Sequence, residues 1–178
     1  MAGHNKWAQI KNKKAITDAK KSKIFSKLVR FIAVEARLSG GKDSPGLRAA
    51  VEKARKVNMP ADNIERAIKK ASEPGVQMES IAYEAYGPGG VGIIIETLTN
   101  NKNRTAQEIK HILSVNGTAL GSIGSVVWGF KKEISPEGLV WLPTSHITLS
   151  DEDLGLLDKL VEELEENDDV QEVFTNAE

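Results

Sequence analysis

The chain has 178 residues, of which 40% are apolar and 28% charged, and its net charge at pH 7 is −1. This fits a globular protein of one sizeable or two small domains and excludes a disordered or fibrous chain. Cysteine is absent, which excludes disulfides, thiolate metal sites and cysteine nucleophiles. Apolar runs such as Ile93-Ile94-Ile95 are far too short for a membrane span, and no signal peptide precedes the first elements, so the cytoplasm is the expected compartment.

Residues 1–14 hold four lysines and no acid and read as an arm that is mobile when free. From Thr17 to Leu38 the pattern is helical: Phe25, Leu28, Val29, Ile32 and Ala36 form one apolar stripe. Lys20, Lys23, Lys27 and Arg30 share a neighbouring face. Gly40-Gly41 ends this helix. Ser44-Pro45 starts a second, with serine as N-cap and proline in the first turn. Leu47, Val51 and Ala54 are its buried side. Asn58-Met59-Pro60 breaks it, and a third helix buries Ile64, Ala67, Ile68 and Ala71. The three helices predict a small bundle, with a linker at 72–77.

Beyond the linker, Ile81–Tyr86 and Val91–Thr99 read as strands joined by the turn Gly87-Pro88-Gly89-Gly90, which lacks the spacing of a phosphate loop. A helix is predicted from Thr105 to Val115, with a Thr105/Glu108 capping box or Asn103 as its cap. Ser125–Lys131 alternates as a strand, 133–143 is a loop, and His146–Leu149 is another strand. Ser150 caps a helix with a Leu154, Leu157, Leu160, Val161, Leu164 stripe, and Val170–Phe174 closes the chain as a strand. The predicted class is α+β: an N-terminal three-helix bundle over 1–77, then a ferredoxin-like domain over 78–178 with an added hairpin strand.

The near-zero net charge hides two unlike halves. Residues 1–77 carry 18 Lys+Arg and 7 Asp+Glu, and residues 78–178 carry 6 and 18. Such polarity points to a polyanionic partner met by the N-terminal half. The three histidines, His4, His111 and His146, fall in no ligand spacing, and no serine sits in a nucleophile elbow. No catalytic residue, metal site, cofactor or small-molecule substrate is predicted, and the chain is not read as an enzyme. Binding is the better-supported chemistry. Lys6, Lys11, Lys13, Lys14, Lys20, Lys21, Lys23, Lys27 and Arg30 crowd the first thirty residues against one acid, Asp18. Lysines in that density attract phosphate without reading sequence. Trp7 either stacks on an exposed base or packs on the bundle.

Several long segments carry a family resemblance. GHNKWAQIKNKKAITDAKKSKIFSKLVRFIAVEAR at 3–37, NMPADNIERAIKK at 58–70, YEAYGPGGVGIIIETLTNNKNRT at 83–105 and NGTALGSIGSVVWGF at 116–130 resemble the YebC/PmpR family. The C-terminal LPTSHITLSDEDLGLLDKLVEELEENDDVQEVFTNAE is similar too, so the likeness spans nearly the whole chain. The resemblance implies DNA-binding transcriptional regulators; mitochondrial relatives activate translation of a cytochrome oxidase subunit, and bacterial members have been linked to ribosomes stalled on proline-rich stretches. It also implies three domains, the third inserted within the second. Only about Lys131–Leu142 lies where that insertion belongs, so the third domain is expected to be absent. Asn100 and Lys102 stand where the family tends to have Asp and Arg, whereas Asn103, Arg104 and Thr105 match, which adds Asn103 and Arg104 to the candidate nucleic-acid contacts. Two readings stay open: a DNA-binding regulator docking on duplex phosphates, or a ribosome-associated translation factor contacting ribosomal RNA. An adaptor using the acidic helix at 151–166 is a third.

Overall fold

The computed structural model describes residues 6–13, 17–71, 73–75, 77–136 and 138–178, with the side chains of Asn12 and Lys13 outside that description. In chain order the elements are α1 (Lys6–Lys13), α2 (Asp18–Leu38), α3 (Pro45–Lys56), α4 (Ala61–Lys70), β1 (Glu79–Tyr86), β2 (Gly92–Thr99), α5 (Lys102–Val115), β3 (Phe130–Ser135), β4 (Gly138–Pro143), α6 (Asp151–Glu166) and β5 (Val170–Thr175). They form two compact units.

The helical unit holds the described residues of 16–78 together with 132–140. Its helix boundaries are set locally. Thr17 and Ser44 stand in extended backbone, and their hydroxyls accept the N–H groups of Lys20 at 3.3 Å and Leu47 at 3.1 Å. Gly40 and Gly41, at φ of +61° and +75°, release the chain from α2. Asn58 takes the same left-handed backbone between α3 and α4, at φ +58°. Ile32 and Ala36 of α2 pack on Leu47, Ala50 and Ala54 of α3 and on Ile64 and Ala67 of α4, with Met59 between. Alanines at these contacts let the helix backbones approach closely. Arg37 ties the following segment to α2, donating from Nη2 to the Glu73 carbonyl at 3.1 Å.

The second unit holds the described residues of 1–15 with 79–131 and 141–178. Its sheet is antiparallel, in the order β1-β2-β5. Central strand β2 sends alternate side chains to opposite faces. Ile93 and Ile95 join Ile109 and Leu113 of α5 and Leu157, Leu160 and Leu164 of α6 in one core. Ile94 meets Val126 and Phe130 on the other side, with Trp141 and Phe174 packed around them. β2 is therefore buried on both faces, which is why three isoleucines run consecutively at its start, Ile93–Ile95.

The α+β class holds, with the bundle and the added hairpin strand β1, but several expectations change. The N-terminal arm is helical over Lys6–Lys13, and Trp7 and Ile10 pack into the core beneath α6, so the described part of the arm belongs with the α+β unit rather than the bundle. The ferredoxin-like order stops at a three-stranded sheet. Ser125–Lys131 is mostly a 3-10 turn at Val127–Gly129 leading into β3, because the N–H groups of Val126 and Val127 are captured by the Glu84 carboxylate and unavailable for a ladder. β3 and β4 pair with each other across the predicted 133–143 loop, and His146–Leu149 contributes a single parallel bridge from Ile147 to Ala177.

Burial of Trp7 gives the first test. Trp7→Ala is expected to lower the unfolding free energy by about 3 kcal/mol in urea titration, the cost of emptying a buried indole site. A solvent-facing tryptophan would cost under about 0.5 kcal/mol.

Candidate nucleic-acid interface

Lys20, Lys23, Lys27 and Arg30 recur at three- and four-residue steps along α2 and line one face of that helix. Lys21 and Lys23 are exposed, while Lys20, Lys27 and Arg30 lay part of their stems against the surface. The Lys21 ammonium sits 5.8 Å from the centre of the Phe25 ring, a cation–π distance. Phe25, Val29 and Ala33 floor an open groove of about 740 Å³ beside this stripe, with Lys21, Arg30, Arg37 and Lys70 around its rim. The helical unit thus presents a long cationic edge over an apolar floor.

The lysines of α1 are placed differently. Lys6 Nζ pairs with Asp151 at 2.7 Å, and Lys11 Nζ pairs with Glu165 at 3.2 Å. Lys11 also lies 5.9 Å from the Trp7 ring centre. The Lys6 partnership holds the Asp151 carboxyl below the usual carboxylate range, first through the hydrogen bond and then through charge. Trp7 itself is only 7% exposed, so it has no free face for a base and its proposed stacking role is withdrawn. Lys14 lies outside the described residues, as does the side chain of Lys13.

Arg104 anchors structure. Its Nη2 donates to Asp169 Oδ2 at 2.8 Å, and the hydroxyls of Thr99 and Thr105 converge on the same oxygen at 3.1 and 2.7 Å. Burial alone would raise the Asp169 pKa, but these three donors outweigh it and hold the carboxyl below its usual range. The cluster fastens the β2–α5 connection to the start of β5. The cap of α5 is Asn101, whose side chain accepts from Arg104 N at 3.1 Å, so the helix begins three residues earlier than its pattern predicts. Asn103 is exposed in its first turn.

A second buried carboxylate shapes a surface that the sequence reading passed over. Glu84 on β1 accepts the N–H groups of Gly124 at 2.6 Å, Val126 at 2.7 Å and Val127 at 2.8 Å. Burial opposes its ionisation, yet the three donors keep its pKa below the usual value. Gly124 reaches this bond at φ +85°, a conformation that favours glycine. The loop so held carries exposed Ile123 and Trp128 beside exposed Tyr86. A tryptophan in a Gly- and Ser-rich stretch without a charge was the available signal.

Among the described residues, no group of three or more His, Asp or Glu side chains is arranged to hold a metal ion, and no helix is long and apolar enough to cross a membrane. The sequence pattern of the TACO1/YebC protein N-terminal domain matches residues 5–74, and that of the TACO1/YebC second and third domain matches residues 78–135 and 131–177. A "Probable transcriptional regulatory protein" of Fervidobacterium nodosum is 51% identical over 175 residues, covering 96% of this chain and 68% of that protein. One of the same name from Petrotoga mobilis is 46% identical over 183 residues, covering 100% of this chain and 71% of its own length. The crystal structure of a conserved hypothetical protein from Aquifex aeolicus superposes with a TM-score of 0.80 at 35% identity, covering 97% of this chain and 96% of that one.

The two carboxylates predict an acid limit to stability. Both have depressed pKa values when folded, so their stabilisation is complete above about pH 5 and is lost as pH falls below about 4. Glu84→Gln keeps the shape but leaves buried N–H groups poorly paired. It is expected to cost about 1–3 kcal/mol at pH 7 in denaturant titration and to flatten the stability loss on acidification.

Proposed function

From the chain's membership of the TACO1/YebC family, the YebC type its sequence resembles, we propose that it is a nucleic-acid-binding regulator of gene expression that docks through the cationic edge of α2. The relatives' names supply the regulatory class. The observation that carries the mode of binding is the alignment of Lys20, Lys23, Lys27 and Arg30 on one face of a capped, 21-residue helix. Residues 16–78 hold 14 Lys+Arg and 7 Asp+Glu, so the surrounding surface adds to the attraction. Phosphate contacts of this kind position a protein on nucleic acid and supply salt-dependent affinity. Lys6, Lys11 and Arg104 belong to the α+β unit, whose composition is acidic, and are secondary in this proposal. The reading takes the family's third domain to be missing: the second-and-third-domain pattern matches in two pieces meeting at 131–135, and part of the relatives' length has no counterpart here.

A ribosome-associated translation factor is the second reading. It is favoured by the composition of the α2 face, three lysines to one arginine. Lysine is a point charge suited to backbone phosphates of any nucleic acid, whereas base-edge readout in duplex DNA favours the arginine fork.

Replacing Lys20, Lys21, Lys23 and Lys27 together by glutamate is expected to weaken binding to a duplex and to flatten the slope of log affinity against log salt by about 3.6 units, if four phosphate contacts are lost. An unchanged slope removes α2 from the interface. Sedimentation of the protein from gently lysed, DNase-treated cells separates the two readings: co-migration with ribosomes selects the translation factor, and confinement to free fractions selects the DNA regulator.

A further inference from the structure

The segment from Thr118 to Gly129 is an irregular loop, yet it is fixed to β1 at every few residues. The Thr118 hydroxyl donates to the Tyr86 carbonyl. Ala85 and Leu120 form an antiparallel bridge. Gly121 N donates to the Glu84 carbonyl at 2.7 Å, and the Glu84 carboxylate holds three further N–H groups. On this rigid base stand Ile123, fully exposed, Trp128, 71% exposed, and Tyr86, 43% exposed. Trp128 and Tyr86 are the exposed aromatic side chains among the described residues, and a grouped apolar patch, unlike single exposed residues, marks an interaction site.

The polar edges of both aromatic rings are already used. Trp128 Nε1–H donates to the Ser125 carbonyl at 2.7 Å, and the Tyr86 hydroxyl donates to the same oxygen. What the two side chains offer to solvent is therefore π-face and hydrocarbon, with their positions set by one shared acceptor. The two segments themselves carry no charge: no Asp, Glu, Lys or Arg occurs from Ala85 to Ile95 or from Asn116 to Phe130. Glu84, just outside the first of these segments, has its charge matched by three N–H donors. In a unit whose last 29 residues carry 12 acids, these two segments contribute no acid to repel a phosphodiester.

We propose that Trp128 and Tyr86, backed by Ile123, form a stacking platform for an unpaired nucleobase, so that the nucleic acid this chain takes includes a single-stranded or looped segment. The proposal rests on the nucleic-acid reading above and specifies its ligand. Bases inside a duplex cover one another's faces, so a protein ring reaches a base face only where pairing is broken. A stacking site is sequence-tolerant and needs no hydrogen bond from the ring. A protein partner is the competing occupant, since an uncharged aromatic patch also suits an interface core. Tyrosine and tryptophan at such interfaces draw on their O–H and N–H as well as their faces. Here both donors are turned inward to Ser125, which favours a planar partner.

The test titrates the full chain with a fluorescently labelled 12-nucleotide single-stranded RNA of mixed sequence and with a duplex of equal length, at several salt concentrations. Anisotropy reports affinity and tryptophan emission reports stacking. The expected result is quenching by the single strand, and for Trp128→Ala about tenfold weaker binding of the single strand, unchanged duplex binding and an unchanged salt slope. Trp128→Phe, which keeps a π-face, is expected to recover most of the affinity. Trp128 is exposed, so an unaltered thermal unfolding curve serves as the control for folding. Equal single-strand affinity in wild type and Trp128→Ala overturns the platform and leaves the patch to a protein partner. Equal losses on single strand and duplex also overturn it. If wild type binds neither nucleic acid, the nucleic-acid reading itself falls, and the platform with it.

Discussion

Strand β2 is buried on both faces, and the architecture of the α+β unit follows from that demand. A three-stranded antiparallel sheet ordinarily leaves one side to water. Ile93, Ile94 and Ile95 forbid this, because leaving any of them exposed forgoes about 1.5–3 kcal/mol of hydrophobic stabilisation. Two coverings are therefore needed. α5 and α6 supply one, extended by Trp7 and Ile10 of α1. Val126 and Phe130, with Trp141 and Phe174, supply the other.

The second covering is not a helix or a sheet layer, and irregular backbone needs its polar groups satisfied by other means. Glu84 meets that need. Its carboxylate takes the N–H groups of Gly124, Val126 and Val127, which places Val126 over Ile94 and turns Ile123 and Trp128 outward. Asp169 does comparable work at the opposite end of β2, gathering Arg104, Thr99 and Thr105 at the turn into α5. In both places a carboxylate is kept ionised against burial by several donors on one acceptor, so the same interaction that orders a loop makes that loop sensitive to acid.

What was legible in the sequence is what is decided locally. The caps Ser44 and Ser150, the glycine stops and the leucine stripe of α6 state their elements within a turn or two of chain, and the structure has helices there. β1 and β2 were legible for the same reason, as two strand-like runs on either side of a Gly-Pro-Gly-Gly turn. The failures are decided at a distance. The SVVWGFK segment alternates like a strand, but its partner is a side chain about forty residues away, and nothing in the alternation reveals that capture. Trp7 and Ile10 have helical spacing in a segment of eight residues crowded with lysine, too short to declare a buried face without α6 to bury it. Arg104 was recognised by resemblance alone; its tie to Asp169 spans 65 positions.

The charge asymmetry of the chain separates into two effects with different reach. Some of it is consumed inside the α+β unit, where Lys6 and Lys11 meet carboxylates of α6. Exposed pairs of this kind are worth little and weaken with salt, so they mute the arm's attraction for a polyanion without committing the arm to one. The helical unit keeps a net basic composition, 14 Lys+Arg against 7 Asp+Glu over 16–78, and such a surplus exerts long-range, salt-screened attraction. The Trp128–Tyr86 loop offers the reverse: no charge, short reach and a contact that salt barely touches. Nucleic acid with broken pairing carries both kinds of group, phosphates for the first and a bare base face for the second. In the proposed platform the preference for broken pairing comes from the bare base face, with no side chain required to read a base edge.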